Sequence, residues 1–268
     1  LPMHIAYHDA CHLSHGQQVT APPRALLGEV PETTVSELPN PEVCCGSAGV
    51  YNLLQPEAAA ELGEGKARDA AAIAHHYDVS NRFYGWVLGG SMTYTCALFP
   101  TPDATLEQAQ FAKHDLVARK LGLRAGQRLL DVGCGWGGMV MHAARHYGVR
   151  ALGVTLSRKQ AERAQKAIAE SGLSELAEVR HLDYRDVPAG EFDAISSIGL
   201  TEHIGRAELP GYFRFLHQRL RPGGRLLNHC ITRPDNLAPA ARERHFINRY
   251  IFPDGELSGV GHLISVMH

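Results

Sequence analysis

The chain has 268 residues, 44% apolar and 20% charged, with a formal net charge of −2. That length and apolar share support one large folded core, or a medium one with a smaller companion, and argue against overall disorder. There is no basic excess to hold a polyphosphate backbone, so no nucleic acid is expected as a partner; the absence of a long apolar run or a signal-peptide pattern makes a cytoplasmic protein the expectation.

Three zones follow one another. Residues 1–67 are rich in Pro, His and Cys, with one helical stretch, PEAAAELGEGKA, opened by Pro56. Residues 68–125 read as helical: Thr105 and Gln108 have capping-box spacing, and Leu106, Ala109, Ala112, Leu116 and Val117 recur on one face. From 126 onward strands alternate with helices. QRLLDV (127–132) reads as a strand, a helix runs from about Met139 to Tyr147, and RALGVTL (150–156) is a second strand. Ser157 and Gln160 form another capping box. EVRHL, DAISSI and RLLNHCI supply three more strands, with a helix before RPGG (221–224) closing the last crossover. This alternation predicts an α/β fold with a parallel, doubly wound sheet.

The glycines of DVGCGWGG (131–138) stand directly after a strand and before a helix, so the backbone turns sharply and a ligand can approach without meeting a Cβ. A dinucleotide site would require an acid about 20 positions further on, for a ribose hydroxyl. Those positions read ALGVTLS. The acid is Asp131, before the first glycine, which points to a methyl donor with an amino-acid end and a nucleoside end.

The words HHYDVSNRFY (75–84), MTYTCALFP (92–100), LLDVGCGWGG (129–138), GVTLSRKQ (153–160), LDYRD (182–186), SSIGLTEHIG (196–205), LRPGGRLLNHCI (220–231) and YIFPDGELSG (250–259) resemble, in order, the cyclopropane-fatty-acyl-phospholipid synthase family, which includes the mycolic acid cyclopropane synthases. The resemblance implies a class I S-adenosylmethionine-dependent methyltransferase with a Rossmann-like sheet. It places Tyr94 and Thr95 at the methionine part of the donor. Asp131, Gly133, Cys134, Gly135, Trp136 and Gly137 form the turn beneath it. Thr155, Leu156 and Gln160 lie along the ribose and adenosine, and Asp183 and Tyr184 lie near the adenine. The capping box alone would also account for Gln160.

The family's reaction brings the sulfonium methyl to a cis double bond of an acyl chain, with bicarbonate as the implied base. Cys96, Glu202, His229 and, through its backbone, Ile231 match the residues of that step. His203 reads as solvated or supporting. The implied substrate is an unsaturated phospholipid or other acyl lipid, met at the inner face of a membrane without spanning it; methylation of another small molecule is the alternative. The adjacent His75 and His76 lack the i, i+4 spacing of a helical zinc site, so no metal is expected in the methyltransferase part.

Family members continue beyond a stretch like LISVMH with antiparallel strands and a tyrosine that completes the bicarbonate site. The expectation for this chain is therefore donor binding with weak or no turnover. Residues 7–17 and 44–67 resemble the cysteine-rich CCG domain of the glycolate oxidase iron-sulfur subunit, which makes Cys11, Cys44 and Cys45 candidate cluster ligands. Three cysteines fall one short of the usual four, so no cluster is expected, although an electron-transfer module remains the rival reading. The six cysteines are scattered, and adjacent Cys44 and Cys45 make a poor disulfide, which suits a reducing compartment. A start at Leu1 and two resemblances meeting near KARDAAAIAHH read as a fusion within a longer frame.

Overall fold

The computed structural model describes residues 3–7, 33–37, 80–188, 190–233 and 257–267. The helical stretch from Pro56, the His75–His76 pair and Cys11, Cys44 and Cys45 lie outside these residues. The chain divides into two compact units, Leu1–Ala70 and Ala71–His268. In the first, β1 (Met3–Tyr7) pairs in parallel with β2 (Thr33–Glu37), two strands the composition of this zone does not announce.

The second unit begins with α1 (Asn81–Leu88), where the Ser80 hydroxyl accepts from the backbone of Arg82 and Phe83. Gly89 ends it at φ 67°, in the region where a side chain is strained. The described part of the zone read as helical holds two helices rather than one, since Gly89, Gly90, Pro100 and Pro102 hold residues 89–104 open before α2 (Leu106–Leu121). Thr105 and Gln108 close the expected capping box with bonds of 2.9 and 3.2 Å. The expected apolar face of α2 forms in part, with Ala109 and Val117 buried and Ala112 and Leu116 half-buried. Leu106 is exposed, and the buried side carries Ala109, Gln110, Lys113, His114, Val117, Ala118 and Leu121. Of its polar members, Gln110 and Lys113 both bond to Thr95.

From there the alternation predicted from sequence is observed. β3 (Arg128–Val132), α3 (Gly138–Tyr147), β4 (Arg150–Thr155), α4 (Arg158–Glu170), β5 (Ala177–His181), β6 (Phe192–Ile198), α5 (Leu209–Arg219) and β7 (Leu220–His229) follow in order, with α6 (Val260–Met267) further on. β7 starts earlier than RLLNHCI suggests and stops before Cys230. Its first residue already pairs with Phe192, and the RPGG segment forms an irregularity before Arg225 resumes the register.

The sheet order is β5-β4-β3-β6-β7, and every pairing is parallel. Side chains alternate across it. Leu129, Ala151, Val179 and Ala194 face α2, α3 and α4, while Leu130, Val132, Val154 and Ile195 face α5 and α6. Helices on both faces and a reversal of strand order beside β3 make this the Rossmann-like doubly wound architecture. Among the described residues no helix is long and apolar enough to cross a membrane.

The packing of α3 on β4 depends on Gly153. A Cβ there would lie 2.7 Å from Val140 Cγ2 and 2.8 Å from Cys134 Sγ. Gly153→Ala should therefore force the helix off the strand and lower stability by about 1–3 kcal/mol, as read from urea unfolding.

Candidate active site

In a parallel sheet every strand ends on the same edge, and in an open α/β sheet the crevice lies outside those ends where the strand order reverses. Here the reversal falls between β3 and β6. The loop after β3 leads to α3 on one face and the loop after β6 leads toward α5 on the other. Most of the candidate residues sit at these strand ends: the glycine turn after β3, Thr155 and Leu156 at β4, Asp183 and Tyr184 after β5, Glu202 after β6, and His229 to Ile231 at β7, while Tyr94, Thr95 and Cys96 come from the segment between α1 and α2 and Gln160 from α4.

The turn is fixed from below. The amides of Gly133 and Cys134 both donate to the Val154 carbonyl at 3.0 Å. Gly135, at φ 55°, has nothing within 4 Å of where a Cβ would stand, so its backbone borders open space. Gly137, the N-cap of α3 at φ 80°, is crowded instead by Ala164 and Val179. The two side chains of the turn point away from that space. Cys134 is buried in the core, its thiol raised in pKa by burial. Trp136 is buried with Tyr84, Leu88 and Met92, and its indole donates to Asn81 Oδ1 at 2.7 Å. It thereby ties α1 to the turn.

Asp131 is wholly buried beneath the turn and accepts from Ser196 Oγ at 2.6 Å. Burial lifts its pKa to about 6 against the opposing effects of that bond and of the Lys113 charge. Lys113 reaches the rim from α2 and donates to Thr95 Oγ1 at 2.8 Å, while Gln110 Nε2 donates to the Thr95 carbonyl at 2.8 Å. Thr95 also closes on β6, since a Cβ at Gly199 would lie 2.7 Å from its methyl group. Tyr94 beside it stays exposed and meets Tyr84 edge to face.

At β4 the expected capping box of α4 is corrected. Ser157 Oγ does accept from the Gln160 amide at 3.2 Å, but the Gln160 side chain bonds elsewhere, accepting from Thr155 Oγ1 at 2.7 Å. Gln160 is buried, so capping does not account for its side chain. The Leu156 carbonyl lies 3.1 Å from His181 Nε2. After β5, the buried Asp183 carboxylate accepts from the Arg185 amide and from its guanidinium at 2.6 to 2.9 Å. The Tyr184 ring packs edge-on against Tyr212 and Phe215. Both side chains are therefore engaged within the fold.

On the other side of the crevice Cys96 Sγ and His229 Nε2 are 3.4 Å apart. The surrounding protein and the Lys113 charge hold His229 below the usual imidazole pKa. Glu202 is buried, and burial raises its pKa. Its Oε1 accepts from the Ile231 amide at 2.7 Å, so the backbone N–H of Ile231 is occupied by Glu202. Glu202 Oε2 is buried and, among the described residues, has no hydrogen-bond partner. No group of three or more metal-ligating side chains occurs among the described residues. The sequence reading passed over Gln110, Lys113, Ser196 and Asn81. Polar residues on the buried side of α2 were the available signal for the first two.

The chain is similar to known proteins over most of its length. The family model described as mycolic acid cyclopropane synthetase matches residues 64–268, and that of a cysteine-rich domain matches residues 5–80. A probable fatty acid methyltransferase of Mycobacterium tuberculosis is 63% identical over 198 residues, 74% of this chain and 46% of that protein. The cyclopropane-fatty-acyl-phospholipid synthase of Escherichia coli K12 is 38% identical, over 69% of this chain and 46% of that one. The chain thus spans about half the length of these two relatives. The crystal structure of mycolic acid cyclopropane synthase CmaA1 with SAH and CTAB superposes with a TM-score of 0.67 at 35% identity, covering 74% of this chain and 72% of that one.

The buried Asp131 sets a pH dependence of stability. Between about pH 4 and 6 the folded chain keeps a proton that the unfolded chain has released, so this group's contribution weakens as pH rises. Asp131→Asn should remove that component. Across this range the stability of the variant relative to the parent should rise by about 1–3 kcal/mol, measured by urea melts at successive pH values.

Proposed function

Because the chain belongs to the mycolic acid cyclopropane synthetase family, we propose that it transfers a one-carbon unit from S-adenosylmethionine to the double bond of an unsaturated fatty-acyl chain of a phospholipid. The observation that carries this reading is the buried Oε2 of Glu202, without a hydrogen-bond partner among the described residues, on the segment after β6 at the end of the sheet that also carries His229 and the glycine turn. A buried polar atom of that kind calls for a ligand group.

The donor fits the rim. Gly135 offers bare backbone, Thr155 and Gln160 offer a buried hydroxyl–amide pair toward a ribose, and Thr95 offers a hydroxyl toward an amino-acid end. When bound, the donor supplies an electrophilic methyl group and bicarbonate supplies a proton acceptor. Burial raises the Glu202 pKa, and with Oε1 held on the Ile231 amide its Oε2 is the oxygen left to hydrogen-bond with a bound bicarbonate. His229, with its pKa lowered, favours the neutral imidazole, which has one nitrogen able to accept a hydrogen bond. Asp131 and Ser196 keep the strand ends in place below.

Access for a lipid is supported by α1. Its exposed side carries Arg82, Phe83, Trp86 and Val87, with Trp86 73% exposed under the Arg82 guanidinium. From residue 79 to 102 Arg82 is the one charged residue. Exposed aromatic and aliphatic side chains with a single cation suit the headgroup region of an anionic bilayer, which would place the protein at the inner face of the membrane.

The test is incubation of the chain with methyl-labelled donor and vesicles of monounsaturated anionic phospholipid, followed by mass analysis of the lipid. A slow gain of one CH₂ on the acyl chain, lost in Glu202→Gln, is expected. Trp86→Ser should weaken sedimentation with the same vesicles. Label appearing only on a small water-soluble acceptor would overturn the lipid reading.

A further inference from the structure

Lys113 is a cation on the buried side of a helix, 8% exposed, and no part of the proposed reaction uses it. An ammonium in such a place needs acceptors, and it finds the Thr95 hydroxyl at 2.8 Å. The chemistry of that bond is one-directional. A protonated lysine has donors only, so Thr95 Oγ1 must accept, and the single proton of the hydroxyl is turned away from Lys113. The backbone of Thr95 is held independently by Gln110 Nε2 on its carbonyl, and its methyl group is seated against Gly199. The residue therefore has little freedom except the rotation of its O–H.

We propose that Lys113 is a positioning residue that locks the Thr95 hydroxyl as a hydrogen-bond donor toward the carboxylate end of the bound donor molecule. This rests on the donor-site reading and adds the group that sets the polarity of that contact. The charged surroundings are mixed. Asp131 on β3 and Cys96 favour the ammonium, while His114 on the same helix, His142 on α3 and His229 on β7 share its neighbourhood and are held toward their neutral forms. Burial brings the Lys113 pKa down to about 8. Above that pH a neutral amine can accept, the Thr95 hydroxyl can turn toward it, and the contact is lost.

The test is calorimetric titration of S-adenosylhomocysteine into the full chain and into Lys113→Met, Thr95→Val and the double variant, with thermal melts to verify folding. Lys113→Met should weaken binding roughly tenfold in the parent but hardly at all in the Thr95→Val background, since the charge acts through the hydroxyl. Affinity of the parent should fall as pH rises through about 8 by an amount that Lys113→Met abolishes. Equal weakening in both backgrounds, or a fall through pH 8 that persists in Lys113→Met, would overturn the assignment while leaving the donor site standing. Failure of the unsubstituted chain to bind S-adenosylhomocysteine would overturn the donor-site reading and Lys113 with it.

Discussion

All five strands of the sheet run the same way, and the rest of the site follows from that constraint. Parallel pairing from β5 to β7 delivers five chain segments to one edge, and the reversal of order beside β3 sends the loops after β3 and β6 to opposite faces. A crevice between them is then unavoidable. What remains for the sequence is to keep it open and line it. Gly135 leaves backbone bare at its floor, and Leu200, which a Cβ at Gly133 would meet at 3.0 Å, stands on the other side.

Beneath the crevice lies a set of buried polar groups that a simple core would not contain. Asp131, Ser196, Lys113, Gln110, Thr155 and Gln160 are each shielded from water, and each has a bond to another residue of the fold. Burying such groups is unfavourable unless they are paired, and these bonds are what let a polar layer stand beneath the crevice. The far wall differs in kind. Glu202 keeps one oxygen unpartnered, and Cys96 and His229 face each other at the surface, as suits groups that meet a reacting species.

Much of the fold was legible because β3, β4 and β6 are apolar runs between turn signals, and because the glycine turn marks where a strand gives way to a helix. The rim was legible as positions, since strand ends can be counted. Side-chain direction was not. Trp136 and Cys134 stand inside the most recognisable motif yet pack into the protein, and Asp183 and Tyr184 are engaged by Arg185, Tyr212 and Phe215. The polar part of α2's buried side was not legible, because helical periodicity picks out apolar residues such as Ala109 and Val117, whereas Gln110, Lys113 and His114 are buried beside them. Spacing alone offers Gln160 both a cap and a place along the donor, and its bond to Thr155 at β4 removes the cap as the account of its side chain.

The central claim is that one end of this sheet binds an S-adenosyl donor. Hydrogen exchange with and without S-adenosylhomocysteine tests it most directly. Slower exchange confined to the segments around Thr95, Gly133 to Gly138 and Thr155 to Gln160 is the predicted result. Unchanged exchange at the glycine turn, or protection confined to the first unit, would contradict it.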